Sequence, residues 1–437
     1  MTAEVILWLS LFAVCWVFFE PSRIGDEMLH DARRRVAWGI IFDPLFWVML
    51  LLVILSALRW INSDITLAYD VENTRWYMRE PMLSLLPGAA VGRGKIEFAV
   101  TVAVCIVVLG IRHSLGKAAR LSFIFVSSFL AGVAAIIATV TAAYCGGVAL
   151  ALAKGSFANP SFTGGTFALY GFAAIVALAG SFVQKWKHTG FVSALAIGGT
   201  FAGAFVFAPA APVLLYAAVA AVTLLICMGW VGAVSRSINV MRLVAIFIMG
   251  VAIAAVVVIC LAPNAIVESR TAEITALSLF PKNFVEVRAI LSRIALDTWL
   301  QAKWLGSGLG TFAYQTRFLA APDDWSVIVM ARPAALSAWW TLIAERGLIG
   351  AITLAVPLCF LLFTIFRRIP GAVGKTVFLP GCWLGVAVLG VAVAESFMDV
   401  SFLRPEALLT VVAFVAIAGG SLPPVKKSIF AQAQADW

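Results

Sequence analysis

The sequence predicts an all-α polytopic membrane protein, and three observations lead to this prediction. Of 437 residues, 62% are hydrophobic and only 12% are charged, and the mean hydropathy is +1.02, whereas soluble domains carry about a quarter charged residues. Apolar runs long enough to cross a bilayer recur along the chain, and they must be helical because lipid offers no partner for open backbone groups. The runs Val100–Ile111, Phe123–Ala143 and Val213–Trp230 lack the alternation of barrel strands.

Hydropathy predicts about eleven membrane spans. The first lacks a basic start and a clear cleavage site, so we expect it to remain as an anchor. The approximate bounds are Val5–Phe19, Gly39–Ile61, Ile96–Ile111, Leu121–Tyr144, Gly165–Val183, Gly190–Ala208, Val213–Val234, Leu243–Ala262, Trp339–Phe366, Val377–Val393 and Ala407–Gly419.

Lysine and arginine positions predict the orientation of these spans. When the spans are threaded alternately, the basic short segments all fall on one side, and that side is normally cytoplasmic. We therefore expect the amino terminus outside and the carboxyl terminus in the cytoplasm. The basic residues are Arg23, Arg33, Arg34, Arg35, Arg112, Lys117, Arg120, Lys185, Lys187, Arg236, Arg242, Arg367, Arg368, Lys375, Lys426 and Lys427.

Two segments on the opposite side are too long to be turns. The first, Asn62–Lys95, mixes charged and aromatic residues, which is consistent with a position on the membrane surface. The second, residues 263–336, is a large loop of the kind that usually carries function. The sequence thus divides into spans at 1–262, this loop at 263–336, and further spans with a tail at 337–437.

Cysteine, histidine and net charge exclude several kinds of site. All seven cysteines fall inside or at the ends of apolar runs, where a thiol acts as a small hydrophobe, so we expect neither disulfides nor a metal site. His30, His113 and His188 lie among basic residues in short predicted loops, where solvated roles are expected. The net charge of +9 follows from membrane topology rather than from nucleic-acid binding.

The spacing within the large loop predicts an amphipathic helix over Phe284–Trp304. Its apolar stripe consists of Val287, Ile290, Leu291, Ile294 and Thr298, and the opposite face carries Glu286, Arg293, Asp297 and Gln301. Arg293 and Asp297 fit an exposed ion pair. Arg288 lies at the border of the stripe, where it either snorkels to lipid headgroups or grips a phosphate.

An ordered set of motifs follows this helix. Eighteen residues after Arg288 comes Gly306-x-Gly308-x-Gly310-x-Phe312, and alternate glycines permit positive φ and close approach of the backbone to a ligand. Glu345-x-Gly347-Leu348-Ile349-Gly350 opens the next span, and Glu395-Ser396-Phe397-Met398-Asp399-Val400 precedes Pro405.

In this order, the motifs resemble the O-antigen ligase and Wzy-type polysaccharide polymerase superfamily over roughly the last third of the chain. The resemblance implies a fold similar to the GT-C-like fold of O-antigen ligases. It also implies sugar transfer at the periplasmic face of a bacterial inner membrane, from a polyprenyl-pyrophosphate-linked glycan to a glycan or lipid acceptor, without metal or other cofactor. Polysaccharide-assembly proteins are possible partners. Where the family usually has a His-Asn pair, this sequence has Leu336 and Ser337. The histidine of that pair is commonly regarded as important for sugar transfer, so this sequence departs from the family's ordinary catalytic pattern.

The resemblance suggests roles for several residues. Arg288 is the first candidate to stabilise the departing diphosphate, because its guanidinium is a fixed and permanent cation, and Glu345 is the second catalytic candidate. The substrate-binding candidates are Arg317, Arg332, Arg293, Gly306, Gly308 and Gly310.

The acceptor hydroxyl needs a proton acceptor or an orienting group. Besides Glu345, the candidates are Asp297, Asp323 and Asp324, although Glu345 also fits a helix cap and the aspartate pair fits a solvated turn. For Glu395, Asp399 and Arg404, buried pairing is favoured over contact with substrate.

Two other classes of function stay open at this point. One is a non-catalytic relative that binds such a glycan or assists its assembly. The other is a transporter of lipid-linked sugars, which would be expected to have broken spans and ionisable groups near the bilayer centre.

Overall fold

The computed structural model describes residues 39–62, 67–70, 75–78, 88–90, 92–114, 117–153, 161–184, 189–207, 210–234, 237–261, 284–319, 337–368, 379–398 and 405–420. The first predicted span, Val5–Phe19, lies outside the described residues.

The described chain is built mainly from helices. In chain order the elements are α1 Pro44–Ile61, β1 Leu67–Asp70, β2 Arg75–Met78, α2 Arg93–Ser114, α3 Lys117–Ala153, α4 Ser161–Val183, α5 Thr189–Phe207, α6 Ala210–Val234, α7 Ser237–Val256 with a π-helical turn at Val257–Leu261, α8 Phe284–Gln301, α9 Phe312–Leu319, α10 Ala338–Arg368, α11 Leu379–Met398 and α12 Pro405–Gly420.

Among the described residues, nine helices are long and apolar enough to cross a membrane, and α12 contributes the shorter apolar stretch Ala407–Gly419. Each predicted span from Gly39–Ile61 onward overlaps one of these helices. The prediction of a multi-pass helical membrane protein is therefore confirmed.

The first long segment contains a β-hairpin, whereas the rest of the described chain is mainly helical. Strands β1 and β2 are antiparallel, with Tyr69 opposite Trp76 and Asp70 opposite Arg75. The segment also ends earlier than predicted, because α2 already begins at Arg93 and takes in the last residues assigned to the loop.

The centre of the bundle is formed by α4 and α5, which are the most deeply buried of the spanning helices. Small residues let the neighbouring backbones approach closely: a Cβ added at Gly132 on α3 would lie 2.8 Å from the Cα of Ala196 on α5. Such contacts drive helix association in lipid, where the hydrophobic effect does not.

The helix ends gather into two opposite sides. We call the end where Arg59, Glu97 and Arg346 meet the loop side, and the end where Asp43 and Arg112 meet the basic side. On the basic side the Asp43 carboxylate caps α1 by accepting from the Leu45 amide at 3.0 Å. It also pairs with Arg112 at 2.6 Å.

His113 corrects one prediction. It was expected in a solvated loop, but it lies in the last turn of α2 with its Nε2 3.0 Å from Asp43 Oδ2 and its side chain 19% exposed. The prediction was wrong because its partner stands 70 positions earlier in the chain. Burial alone raises the pKa of Asp43, but the hydrogen bond with His113 and the charge of Arg112 outweigh it, so the pKa lies below its ordinary value.

Asp43→Asn should destabilise the protein, because it leaves the Arg112 guanidinium without its counter-ion. We expect a loss of about 3 kcal/mol at pH 7, measured by thermal unfolding in detergent, with the exposed Glu286→Gln as a control.

The effect of this substitution should depend on pH. A carboxylate whose pKa is lowered by folding stabilises the folded protein above its unfolded pKa, and that stabilisation is lost as pH falls through the folded pKa. The difference in stability between the wild type and the Asp43→Asn variant should therefore become smaller below about pH 4. A difference in stability that does not change with pH would contradict this assignment.

Candidate loop-side site

Helix α10 is broken near its start. Gly347 has φ 63° and ψ −171°, which separates residues 338–346, here called α10a, from residues 348–368, called α10b. The sequence predicted one continuous span from Trp339 to Phe366, and the break corrects that prediction. At a rise of about 1.5 Å per residue, α10b alone is about 31 Å long and suffices to cross the hydrocarbon core.

The break is held by backbone pairing with the glycine-rich run after α8. We call this contact, between residues 303–312 and 344–349, the glycine crossing. The amides of Ser307 and Gly308 donate to the carbonyls of Ala344 and Glu345 at 2.9 and 3.0 Å. In return, the amides of Leu348 and Ile349 donate to the carbonyls of Lys303 and Trp304 at 2.9 and 3.0 Å. Groups that a helix break would leave open are thereby satisfied.

Glycine is required at both sides of the crossing. Gly306 has φ 74° and Gly347 has φ 63°, values at which a side chain is strained. A Cβ on Gly306 would overlap the Glu345 carbonyl group, and a Cβ on Gly347 would overlap the Trp304 carbonyl group. The predicted positive φ is confirmed, but the backbone that approaches Gly306 belongs to the protein itself.

The next two glycines have a related conformation. Gly308 and Gly310 have φ 107° and 72°. A Cβ on Gly310 would lie 2.9 Å from Cγ of Arg93, so the stem of that arginine lies across Gly310. The Ala90 amide donates to the Leu309 carbonyl at 2.7 Å. The glycine run is therefore fixed to the start of α2 as well as to α10.

Glu345 directs its carboxylate towards the same run. Its Oε1 accepts from the Phe312 amide at 3.3 Å, and the Gly310 amide also bonds to the carboxylate. Arg93 and Arg346 are the cations that act on it electrostatically. In this arrangement the Glu345 carboxylate binds the start of α9, as a capping group would.

Charged residues from three spans meet beside the crossing. Oε1 of Glu97 on α2 lies 2.7 Å from Arg346 on α10a and 3.7 Å from Arg59 in the last turn of α1. The Glu97 side chain is only 10% exposed. Arg93, one helical turn before Glu97, is exposed. We call Arg59, Arg93, Glu97 and Arg346 the arginine cluster.

Sequence reasoning missed the arginine cluster. Its members come from three distant parts of the chain, so no local spacing brings them together. One signal was present, because a glutamate within an apolar run is rare and usually paired, and Glu97 is the second residue of the predicted span Ile96–Ile111.

Arg288 connects the large loop to the end of a distant span. Its guanidinium donates to the Phe397 carbonyl in the last turn of α11. The Ser337 hydroxyl donates to the neighbouring Ser396 carbonyl at 3.1 Å, and the rings of Trp339 and Phe397 stack with centroids 5.6 Å apart. Helix α8 of the large loop and the start of α10 are thus both attached to the loop-side end of α11.

The same turn of α11 contains Glu395. Its carboxylate is buried and accepts from the Tyr216 hydroxyl of α6. The favoured expectation of buried pairing is confirmed for this residue; Asp399 and Arg404 lie outside the described residues.

The amphipathic pattern of α8 is largely confirmed. Val287, Leu291, Ile294 and Thr298 are buried, and Ile294 packs with Phe312 and Ala344 in a small core between α8, α9 and α10a. The helix ends at Gln301 rather than Trp304 because the chain turns before Gly306, whose amide donates to the Ala302 carbonyl at 2.8 Å.

The remaining candidates are scattered or outside the described residues. Arg293 is exposed on α8, and Asp297 is half-buried one turn later. Arg317 lies on α9, and its side chain is outside the described part. Arg332, Leu336, Asp323 and Asp324 also fall outside the described residues.

The described helices define a multi-pass helical membrane protein whose large loop packs back onto the ends of its spans. No protein-family model and no curated protein matches this chain.

Gly347→Ala should destabilise the protein, because it adds a Cβ at positive φ and at a backbone crossing. We expect a loss above about 2 kcal/mol, seen as a lower unfolding temperature in detergent. The matched control is Gly390→Ala on α11, where the added Cβ would meet no atom within 4 Å and a helical alanine is favoured by up to about 1 kcal/mol. Equal unfolding temperatures for the two variants would exclude the crossing as a structural requirement.

Proposed function

We propose that the protein is an inner-membrane glycosyltransferase that polymerises or ligates a polyprenyl-pyrophosphate-linked glycan. The loop side is the periplasmic face, the amino terminus is periplasmic and the carboxyl terminus is cytoplasmic. The resemblance of the loop motifs to O-antigen ligases and Wzy-type polymerases supports the reaction class. The basic residues of the short loops support the orientation.

The position of Arg288 is the observation that carries the proposal. An arginine has five N–H donors, and among the described residues this guanidinium makes one hydrogen bond, to the Phe397 carbonyl. That bond orients the group at the end of a span, and in the proposed complex the other donors bind the anion. A preoriented cation at this boundary is what a departing diphosphate requires.

In the proposed reaction, the acceptor hydroxyl oxygen forms a bond to the anomeric carbon of the donor sugar. The bond from that carbon to the diphosphate oxygen breaks, and polyprenyl diphosphate leaves with the bonding electrons. The hydroxyl proton passes to a carboxylate or to water. Arg288 stabilises the growing charge on the diphosphate more than it stabilises the bound donor, which accelerates the step.

The second candidate function is a non-catalytic glycan-binding or assembly protein of such a system. It is favoured by the contacts of Glu345, whose carboxylate accepts from backbone amides of the glycine run, and by Leu336 in place of the family's usual histidine. A transporter of lipid-linked sugars draws support only from the break at Gly347.

Arg288→Ala should lower glycan transfer by about 10²- to 10³-fold while the protein remains folded in the membrane. The assay measures release of polyprenyl diphosphate from a lipid-linked glycan by purified protein. Arg288→Lys should recover only part of the activity, since lysine lacks the planar fork. Arg242→Ala, which removes an exposed arginine of α7, is the matched control. Unchanged release by Arg288→Ala would remove this residue from the mechanism, and no release by the wild type would favour the non-catalytic function.

Cysteine labelling tests the orientation. In intact cells with an opened outer membrane, Gln301→Cys, at the exposed last residue of α8, should react with a membrane-impermeant maleimide. Gln184→Cys, which is exposed after α4 beside predicted cytoplasmic lysines, should react only after the inner membrane is opened. The reverse pattern would contradict a periplasmic loop side.

A further inference from the structure

The arginine cluster has properties that the proposed role of Arg288 does not explain. Three guanidinium groups stand near two carboxylates, those of Glu97 and Glu345. One of those carboxylates, Glu345, also accepts from backbone amides. The charges of Arg59 and Arg346 repel each other across Glu97. Counted over the described residues, three guanidinium groups and two carboxylates leave the cluster with excess positive charge.

The position of this charge is at a membrane boundary. Arg59 lies in the last turn of α1, beside Trp60, whose ring stacks on Phe98 with centroids 5.1 Å apart. Trp60 is 46% exposed, and amphipathic aromatic rings of this kind concentrate at headgroup level. Few residues of α1 are buried within the bundle, so the cluster stands next to a helix that is largely exposed.

Close contacts hold parts of the cluster in place. The Arg93 stem lies across Gly310, and Arg346 is held 2.7 Å from Glu97 at the break of α10. Close approach of Gly94 to the α1 backbone, where an added Cβ would lie 3.1 Å from the Trp60 Cα, fixes α1 against α2. Guanidinium groups held in this way lose little freedom when they bind an oxyanion.

We infer that Arg59, Arg93 and Arg346 form a binding site for the phosphate group of a lipid at the loop-side membrane boundary. Arg93 supplies an exposed cation, and Arg346 supplies a second that Glu97 orients. The assignment of this site to the periplasmic leaflet rests on the orientation proposed above, but binding of the lipid phosphate does not depend on glycan transfer.

Binding of farnesyl diphosphate to the purified full-length protein in a neutral maltoside detergent tests the inference. Native mass spectrometry should detect saturable binding, whereas farnesol, which has the same chain without phosphate, should not bind at this site. Phosphatidylglycerol and inorganic pyrophosphate serve as competitors. Competition by either one supports a phosphate site, and stronger competition by phosphatidylglycerol identifies a phospholipid rather than an isoprenoid diphosphate as its occupant.

Two variants separate a binding defect from a folding defect. Arg93→Ala removes an exposed side chain and should weaken binding of farnesyl diphosphate by about tenfold, the usual worth of one charge-assisted contact. Arg93→Ala combined with Arg346→Ala should weaken it further. Arg242→Ala should bind as the wild type does. Unchanged binding by the double variant, or equal binding of farnesol and farnesyl diphosphate, would overturn the inference.

Glu97→Gln gives an outcome that structural damage would not produce. Glutamine keeps an amide oxygen that accepts from Arg346 but removes the negative charge, which raises the positive potential of the cluster, so binding of farnesyl diphosphate should be retained or tightened and should remain sensitive to added salt. Weaker binding by this variant would contradict the assigned charge balance. None of these measurements uses turnover, so failure here and failure of the Arg288 assay are distinguishable.

Discussion

Backbone pairing at the glycine crossing is the constraint on which the loop side depends. A break in a helix next to a membrane exposes amides and carbonyls, and each unpaired group is costly there. In this protein the glycine run supplies the missing partners and receives its own in exchange. Such mutual pairing needs two backbones in direct contact, and this contact is possible because Gly306 and Gly347 have no side chain. The crossing therefore supplies partners for four backbone groups at the break in α10, the carbonyls of Ala344 and Glu345 and the amides of Leu348 and Ile349.

The break determines where the charged residues stand. Since α10a is no longer continuous with the span, its nine residues, about 14 Å long, run between the loop-side ends of α11 and α2. At its start, Ser337 and Trp339 contact the end of α11, where Arg288 is also bound. At its end, Arg346 reaches Glu97 on α2. The small core between α8, α9 and α10a holds α8 against α10a. Arg288 and the arginine cluster therefore belong to one packed unit.

Local patterns predicted the spans and α8, because long apolar runs and three-and-four spacing report burial directly. They did not predict contacts between distant residues. Arg59, Glu97 and Arg346 meet only when α1, α2 and α10 are packed, and His113 finds Asp43 in the same way. The break at Gly347 was also hidden, because apolar residues stand on both sides of Glu345-Arg346-Gly347 and hydropathy does not register φ. The hairpin within 67–78 lies in a segment with neither a long apolar run nor a helical stripe.

The arginines on the two sides of the bundle have different surroundings. This difference distinguishes an arginine that connects parts of the fold from arginines that can bind a ligand. On the basic side Arg112 lies 2.6 Å from Asp43, which is almost fully buried, and the pair links the start of α1 to the end of α2. A short, buried and matched pair of this kind is a structural connection. On the loop side one Glu97 oxygen lies near two guanidinium groups while Arg93 stays exposed. Fold stability alone gives no reason to collect like charges at one point, since they repel each other. The inferred lipid phosphate is the counter-charge for these guanidinium groups, and its position is at the boundary beside Trp60.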